Sequence, residues 1–394
     1  MPRGAACGIA ACGRVSRSDI IVTGNGDRDS SAEVRLIPGP PEAQSVEAIA
    51  EGAKRPSPWY WILAGGLAAV LLYYSLRGVE WGRVWRIMLG ARWQYLAAGT
   101  SITLINFFVR SMRWRVLLNA RGHFRVGTVF WATMAGYMGN SFLPARAGEV
   151  VRSFIISDQS ALSRTYVLTT ALTERLMDAI ALVLCGSVVL LQVSPKPAWM
   201  DQVGRTTAAI AALGALLVAV LPHAEGLIQK LLQRLPVPGA IRDRLLGFAG
   251  QILLGLRAFH HAGRLLSFTL LTALIWAGDA VANIVASRAF DIHMTFPVAL
   301  LLLAGMGLGS ALPATPGYVG IYQFAAVTIL PPFGIDRNAA LAFIIVAQAV
   351  GYAVVLVLGL LGLYQIRRGK TQARTENQSE LRSDGQARRL IPPG

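Results

Sequence analysis

Long apolar runs alternate with short charged intervals along this 394-residue chain. Met294 to Ile335 holds no Asp, Glu, Lys or Arg across 42 residues, and Asn338 to Ile366 is uncharged for another 29. About 20 apolar residues carry a helix through the hydrocarbon core of a bilayer. The first run is therefore long enough for two passes and the second for one. Upstream, Trp59–Leu76, Gln94–Val109, Val126–Leu143, Thr165–Val193, Thr206–Pro222 and Leu265–Ser287 are further apolar segments. Lys54, Arg55 and Arg77 flank the first, with Trp59, Tyr60, Trp61, Tyr73 and Tyr74 as interface aromatics. The interval 223–264 is basic and reads as amphipathic. The pattern predicts an all-α, polytopic helical membrane bundle of about nine apolar segments, about eight of them membrane segments, some broken or re-entrant. It divides the chain into a disordered tail at 1–57, a transmembrane domain at 58–366 and a basic tail at 367–394.

Only 15% of residues are charged and mean hydropathy is +0.49, whereas soluble domains carry about 25% charged residues. The net charge of +16 sits mostly in loops between apolar runs. Positive-inside bias and contact with anionic headgroups account for it there, so nucleic acid is not an expected partner and membrane lipids, anionic ones above all, are. Loops 194–205, 289–293 and 331–337 are poor in Lys and Arg, while 223–264 and the stretch after Ile366 are rich in them. That places the C-terminus in the cytoplasm. The first half does not resolve this way, because 77–93, 110–125 and 145–164 are all basic. Three successive basic loops share one side only if a segment between them is re-entrant.

Cys7, Cys12 and Cys185 form no paired framework, and His123, His223, His260, His261 and His293 are scattered without ligand spacing. No Ser/His/Asp set, HExxH or phosphate-cradling glycine loop is present. No cofactor, metal site or catalytic residue is expected.

One internal repeat changes the picture. Ser141-Phe-Leu-Pro-Ala-Arg-Ala-Gly-Glu-Val150 recurs as Ser310-Ala-Leu-Pro-Ala-Thr-Pro-Gly-Tyr-Val319, with six of ten positions identical. Proline removes a helical donor and glycine weakens a helix, so Pro144, Gly148, Pro313, Pro316, Gly317 and Gly320 should break helices at depth. Such backbone is tolerated in a membrane only when buried in protein or lining a wet cavity. Paired breaks in two related halves point to a transporter's site. The first copy has basic flanks and the second charge-poor ones, as two hairpins entering from opposite faces would have.

Charges at depth need partners. Glu174 and Asp178 lie four apart on one helix face, and Arg175 and Asp178 three apart can pair. The cluster is either part of a headgroup or proton pathway or an ion-pair clasp between helices. Arg146 and Arg152 suit a lipid phosphate, because guanidinium matches phosphate oxygens in two-pronged fashion. Glu149 would pair with one of them or with Arg175 and let go when lipid arrives. Asn140 and Gln323 are neutral polar groups near the breaks. Arg110 and Arg113 read chiefly as snorkelling anchors at a helix end, with Arg113 also a headgroup candidate. Asp279 stands as a lone mid-helix acid, either structural or coupling.

These residues carry a resemblance. Arg110-x-x-Arg113-Trp114, Gly139-Asn140-x-x-x-Pro144-x-Arg146-x-Gly148-Glu149-x-x-Arg152, Glu174-Arg175-x-x-Asp178 and Pro313-x-x-Pro316-Gly317-x-x-Gly320 together make the chain similar to the flippase-like family named for the transmembrane region of lysylphosphatidylglycerol synthase. The likeness runs from about 58 to 366. It implies a bacterial inner-membrane protein that moves or handles phospholipids or polyprenyl-type lipids. The synthase carries a soluble acyltransferase domain after its membrane region, whereas this chain stops 28 residues past Ile366, so lipid aminoacylation is not expected of it.

The leading expectation is a lipid translocase rather than an enzyme. Its substrate would be an anionic phospholipid or lipid-linked intermediate, entering a polar groove between the two breaks. The alternatives are an integral membrane enzyme acting on lipid-linked sugars or phosphates, with Glu149 as its acid, and a non-transporting accessory subunit partnered with a lipid-synthesis enzyme. A dry bundle whose buried acids and arginines neutralise only each other would count against translocation.

Overall fold

The computed structural model describes residues 58–143, 147–160, 162–192, 198–220, 261–310 and 316–389. The 1–57 tail, Pro144, Arg146, Pro313 and nearly all of the basic 223–264 interval lie outside them. Among the described residues every element is helical: α1 (Pro58–Leu76), α2 (Trp81–Leu89), α3 (Trp93–Leu118), α4 (Val126–Phe142), α5 (Gly148–Ser157), α6 (Arg164–Gln192), α7 (Ala198–Val220), α8 (Ala262–Ser287), α9 (Phe296–Gly309), α10 (Ile321–Ile329) and α11 (Arg337–Arg389).

Two stretches, Ala262–Phe290 and Arg337–Gly369, are long and apolar enough by themselves to cross a membrane. A third span is added if α1 and α2, bent by 87° to one another, count as one. The expected eight segments are thus met by two or three on that criterion. Helices α3 and α6 also have the length, 26 and 29 residues, and carry Arg110, Arg113 and Arg115 or Glu174, Arg175 and Asp178 within it. Hydropathy alone ends the second apolar segment at Val109; α3 instead continues to Leu118, with Arg113 buried against partners. The 77–93 interval is also more ordered than a loop. Helix α2 buries Val84 and leaves Trp81, Trp85 and Leu89, at helical spacing, exposed.

Side-chain and backbone contacts order the elements between two ends of the bundle. At one end Trp114, Leu118, Phe124, Val129, Ile156 and Tyr166 form an apolar cluster. There too Leu117 meets Phe268, and Thr128, Asp158 and Gln365 line one depression. At the other end Val84, Phe290, Met294, Val298, Leu330 and Leu341 cluster, Arg92 N–H donates to Ala289 C=O (3.0 Å), and Arg337 donates to Tyr74 C=O (2.6 Å).

Helices α4 and α5 form a hairpin that opens toward the first end. Its arms close glycine to glycine: a Cβ on Gly139 would come 2.8 Å from the Gly148 Cα, and one on Gly136 2.9 Å from the Arg152 Cβ. Helices α9 and α10 form a second hairpin, Gly309 against Ile321 and Gly305 against Ala325, that opens toward the opposite end. The break before α10 needs left-handed backbone, found at Gly317 (φ 79), Tyr318 (φ 56) and Gly320 (φ 90). At Gly320 the Ala68 carbonyl leaves no room for a Cβ. The two tips adjoin, since Phe142 at the end of α4 lies 6.4 Å from Tyr352 of α11, whose hydroxyl rests on Gly317.

The first hairpin accounts for two of the three basic loops. Loops 119–125 and 158–163 share one end because α4–α5 turns back, while 77–92 lies at the other.

The repeat extends beyond the matching decapeptide. Shifted by 169 residues, α3 becomes 262–287, the bounds of α8, and α4 becomes 295–311, nearly those of α9. Helices α3 and α8 pack antiparallel. Gly99 meets Ala282, while their equivalents Phe268 and Arg113 also meet, the guanidinium 5.1 Å from the ring centre. Arg110 and Asp279 are equivalent positions and pair with each other. Reciprocal contacts of this kind mark a two-fold relation, and a residue bonded to its own equivalent sits on the axis.

Candidate functional site

Three helices place six charged side chains together beside the first hairpin. Arg113 comes from the inner face of α3, Glu149 and Arg152 from the first turns of α5, and Glu174, Arg175 and Asp178 from α6. Arg113 grips Asp178 with both guanidinium branches (Nη1–Oδ1 2.5 Å, Nη2–Oδ2 2.9 Å) and reaches Glu174 Oε1 at 2.8 Å. Arg152 spans two acids, donating to Glu149 Oε2 (2.6 Å) and Glu174 Oε2 (2.8 Å). Arg175 donates to Glu149 Oε1 (2.7 Å) and lies 3.7 Å from Asp178 Oδ2. Three cations meet three anions, so the set is neutral as a whole. That neutrality makes so many ions tolerable at depth.

Aromatic faces and hydroxyls complete the shell. Arg152 lies 4.3 Å over the Trp114 ring, Arg175 5.6 Å from the Tyr137 ring centre, and Arg113 donates to the Thr272 hydroxyl (3.2 Å). Asn140 donates to Glu149 Oε1 (3.0 Å). Five of the six charges are essentially buried, whereas the Arg175 side chain is 29% exposed. Three buried polar atoms around Glu149 have no hydrogen-bond partner: Arg152 Nη1, Asn140 Oδ1 and Tyr137 Oη. An unmade bond at such a depth costs about 1–3 kcal/mol, so these three atoms are the ones in the cluster left to engage a further polar group.

Several sequence expectations change here. Arg113 is no snorkelling anchor; it is wholly buried and holds two acids. Arg110 likewise turns inward, and Asp279 is not alone: Arg110 and Asn106 both donate to it. Arg152 is committed to Glu149 and Glu174 through Nε and Nη2, with Nη1 left over, rather than held open for a phosphate. Glu149 does pair with both Arg152 and Arg175. Arg146 and Pro144 lie outside the described residues. Tyr137 was missed altogether, because a tyrosine inside an apolar run reads as packing.

The second break carries a neutral chain instead. Gly320 N–H donates to Gln323 Oε1 (2.8 Å), Gln323 Nε2 to Gln348 Oε1 (2.7 Å), and Gln348 Nε2 to both the Gly317 carbonyl and the Tyr352 hydroxyl (2.6 Å each). Gln323 was legible as a polar group near the break. Gln348 and Tyr352 were not, since only the fold brings α11 against Gly317.

A family model described as the lysylphosphatidylglycerol synthase transmembrane region matches residues 61–359. The chain belongs to that family. The match covers the bundle from α1 into α11, including both hairpins and the charge cluster, and makes this a membrane protein. Among curated proteins the chain is similar to one named glycosyltransferase AglD, from Haloferax volcanii, at 24% identity over 324 residues. The alignment takes in 73% of this chain and 51% of that protein, so the chain spans about half the length of the curated relative it matches. That relative corrects the expectation that the chain is not an enzyme: a protein sharing this family region bears the name of a group-transfer enzyme.

Proposed function

We propose that the chain is an integral membrane protein acting on lipid-linked sugars or phosphates, with the α3–α5–α6 cluster as the seat of an anionic lipid phosphate. The observation that carries this reading is the set of unpartnered buried atoms about Glu149 beside the part-exposed Arg175. A phosphate ester would take hydrogen bonds from Arg152 Nη1 and Arg175, displacing Glu149 from Arg175. Tyr137 Oη and Asn140 Oδ1 would then orient a water or hydroxyl next to it. Arg113 and Glu174 stay paired and hold the floor. Family membership and the glycosyltransferase-named relative support lipid-linked substrates. No transfer step is assigned to Glu149, which already holds two arginines.

A second reading is movement of the same lipid between leaflets. It draws on the two hairpins, which enter from opposite ends and meet at their tips, as in transporters built on inverted repeats. The glycosyltransferase-named relative supports group transfer rather than movement, and lipid-linked group transfer is therefore placed first.

The test is binding by the purified full chain in nanodiscs, with geranylgeranyl phosphate against the uncharged alcohol. Wild type should prefer the phosphate, and Arg175→Gln should weaken phosphate binding about 10- to 100-fold, the worth of a hydrogen bond to a charged group, without altering alcohol binding. Equal affinity of wild type for both ligands, or an Arg175→Gln variant indistinguishable from wild type, would remove the reading.

A further inference from the structure

The two hairpin tips adjoin but differ in character. The first is charged through Glu149, Arg152 and Arg175. The second cannot be: from Met294 to Ile335, and again from Asn338 to Ile366, the sequence holds no ionisable Asp, Glu, Lys or Arg. Among the described residues its side-chain hydrogen-bond chain is built of two amides and a phenol. We infer that the second tip is a subsite for the uncharged, hydroxylated portion of the substrate, a sugar carried on the lipid phosphate, with Tyr352 as its hydrogen-bond donor. This rests on the proposed seat for the phosphate at the first tip.

The polarity of the neutral chain is fixed at both ends by backbone. Gly320 N–H is only a donor, so the Gln323 atom that meets it at 2.8 Å is the carbonyl oxygen. Gln323 must then present its amide nitrogen to Gln348 Oε1. At the far end the Gly317 carbonyl is only an acceptor, which independently places the Gln348 nitrogen against it and against Tyr352 Oη. Tyr352 therefore accepts from Gln348 and retains its own proton to donate onward. No flip of either amide reverses this arrangement without losing a backbone bond.

Position suits the role. The Tyr352 hydroxyl rests on Gly317, where a Cβ would come 2.8 Å from it, and the Tyr352 ring sits 6.4 Å from Phe142 of the first tip. Asn140, two residues before Phe142, bonds Glu149. Tyr352 thus bridges the neutral tip and the rim of the charged one, and it is half-buried rather than sealed. Beside it Tyr318 and Tyr322 stack face to face, ring centres 5.3 Å apart and 14° from parallel. Tyr318 holds its ring there from left-handed backbone (φ 56), a conformation a non-glycine residue adopts only when its surroundings impose it. Flat aromatic faces beside a directed donor match a pyranose, which offers a C–H face and a hydroxyl or ring-oxygen edge. A plain diacyl phosphate offers neither.

The experiment compares two ligands on the full chain in nanodiscs: geranylgeranyl phosphate and its glucosyl ester. Wild type should bind the glucosyl ester more tightly than the bare phosphate. Tyr352→Phe, which keeps the ring and removes the donor, should reduce that preference about tenfold while leaving bare-phosphate affinity unchanged. Gln348→Met, which frees the hydroxyl to rotate, should reduce it in part. The inference is overturned if wild type shows no preference, if Tyr352→Phe keeps it, or if Tyr352→Phe weakens both ligands alike. Arg175→Gln run alongside separates the two claims. Loss of phosphate binding there with an intact sugar preference in Tyr352→Phe sinks the sugar subsite alone, and no loss there sinks the phosphate seat.

Discussion

Glu174 is the keystone of the charge cluster, and neutralising it should cost more than any other isosteric change in the chain. Its carboxylate is 1% exposed and accepts from Arg113 at 2.8 Å and from Arg152 at 2.8 Å. Glu174→Gln keeps the shape but leaves three cations facing two anions in a largely buried site. Removing one partner of a buried pair costs about 3–5 kcal/mol. Insertion scales, at about 2.5–3.5 kcal/mol for one uncompensated charge at helix centre, agree. The folded-to-unfolded ratio should fall by about two to three and a half powers of ten. The assay is reversible unfolding in mixed micelles, followed by intrinsic Trp fluorescence, with Trp114 under Arg152 as a reporter. Adding Arg152→Met restores charge balance, so the double variant should be more stable than Glu174→Gln alone. If Glu174→Gln costs less than about 0.5 kcal/mol, the charges are solvated and the buried-cluster argument fails. If the double variant is worse than the sum of the singles, neutrality is not what the cluster maintains.

Two further outcomes follow from the hairpin and the axis. Gly148→Ala puts a methyl against the Gly136 carbonyl and Asn140, so the first hairpin should open, with a loss of about 1–3 kcal/mol from overpacking and new reactivity of a cysteine placed at Ser141 toward a water-soluble maleimide; unchanged melting would show that the arms do not touch. Because Arg110 and Asp279 are equivalent positions that pair across the two-fold relation, the exchange Arg110→Asp with Asp279→Arg should recover at least half of the stability lost in either single variant; no recovery would mean that the surroundings of the two positions are not interchangeable.

How much of this was legible depended on which residues partner across the chain. The helical class, the long apolar runs and both breaks follow from hydropathy and from Pro and Gly, because those signals are local. Helix α6, expected over 165–193, runs from Arg164 to Gln192. Its three charges were readable as needing partners, since an ion at depth cannot be left alone. Which partners was not readable. Arg113 and Arg152 lie 61 and 22 residues from Glu174, and a helix-end arginine looks the same in sequence whether it snorkels outward or turns inward. The error at Arg110, Arg113 and Asp279 has that single cause. Tyr137, Gln348 and Tyr352 escaped for the complementary reason, as polar groups inside apolar runs whose neighbours come from other helices.

The repeat offers more than its six matching letters suggested. A coincidental decapeptide would place its copies in unrelated surroundings. Instead the offset that aligns the two copies also carries α3 onto α8, pairs Arg110 with its equivalent Asp279, and makes Gly99–Ala282 and Phe268–Arg113 one contact seen twice. The chemistry has diverged on that common frame. Under the same shift Arg113 falls on Ala282, Glu149 on Tyr318, Glu174 on Phe343 and Asp178 on Ala347, so every described charge of the first cluster has an uncharged counterpart. A protein that only needed to clasp its helices could have kept the same clasp in both halves. One charged tip facing one neutral tip is the arrangement a ligand with two unlike ends would select, and Tyr352, in contact with both, is where the two halves would read it together.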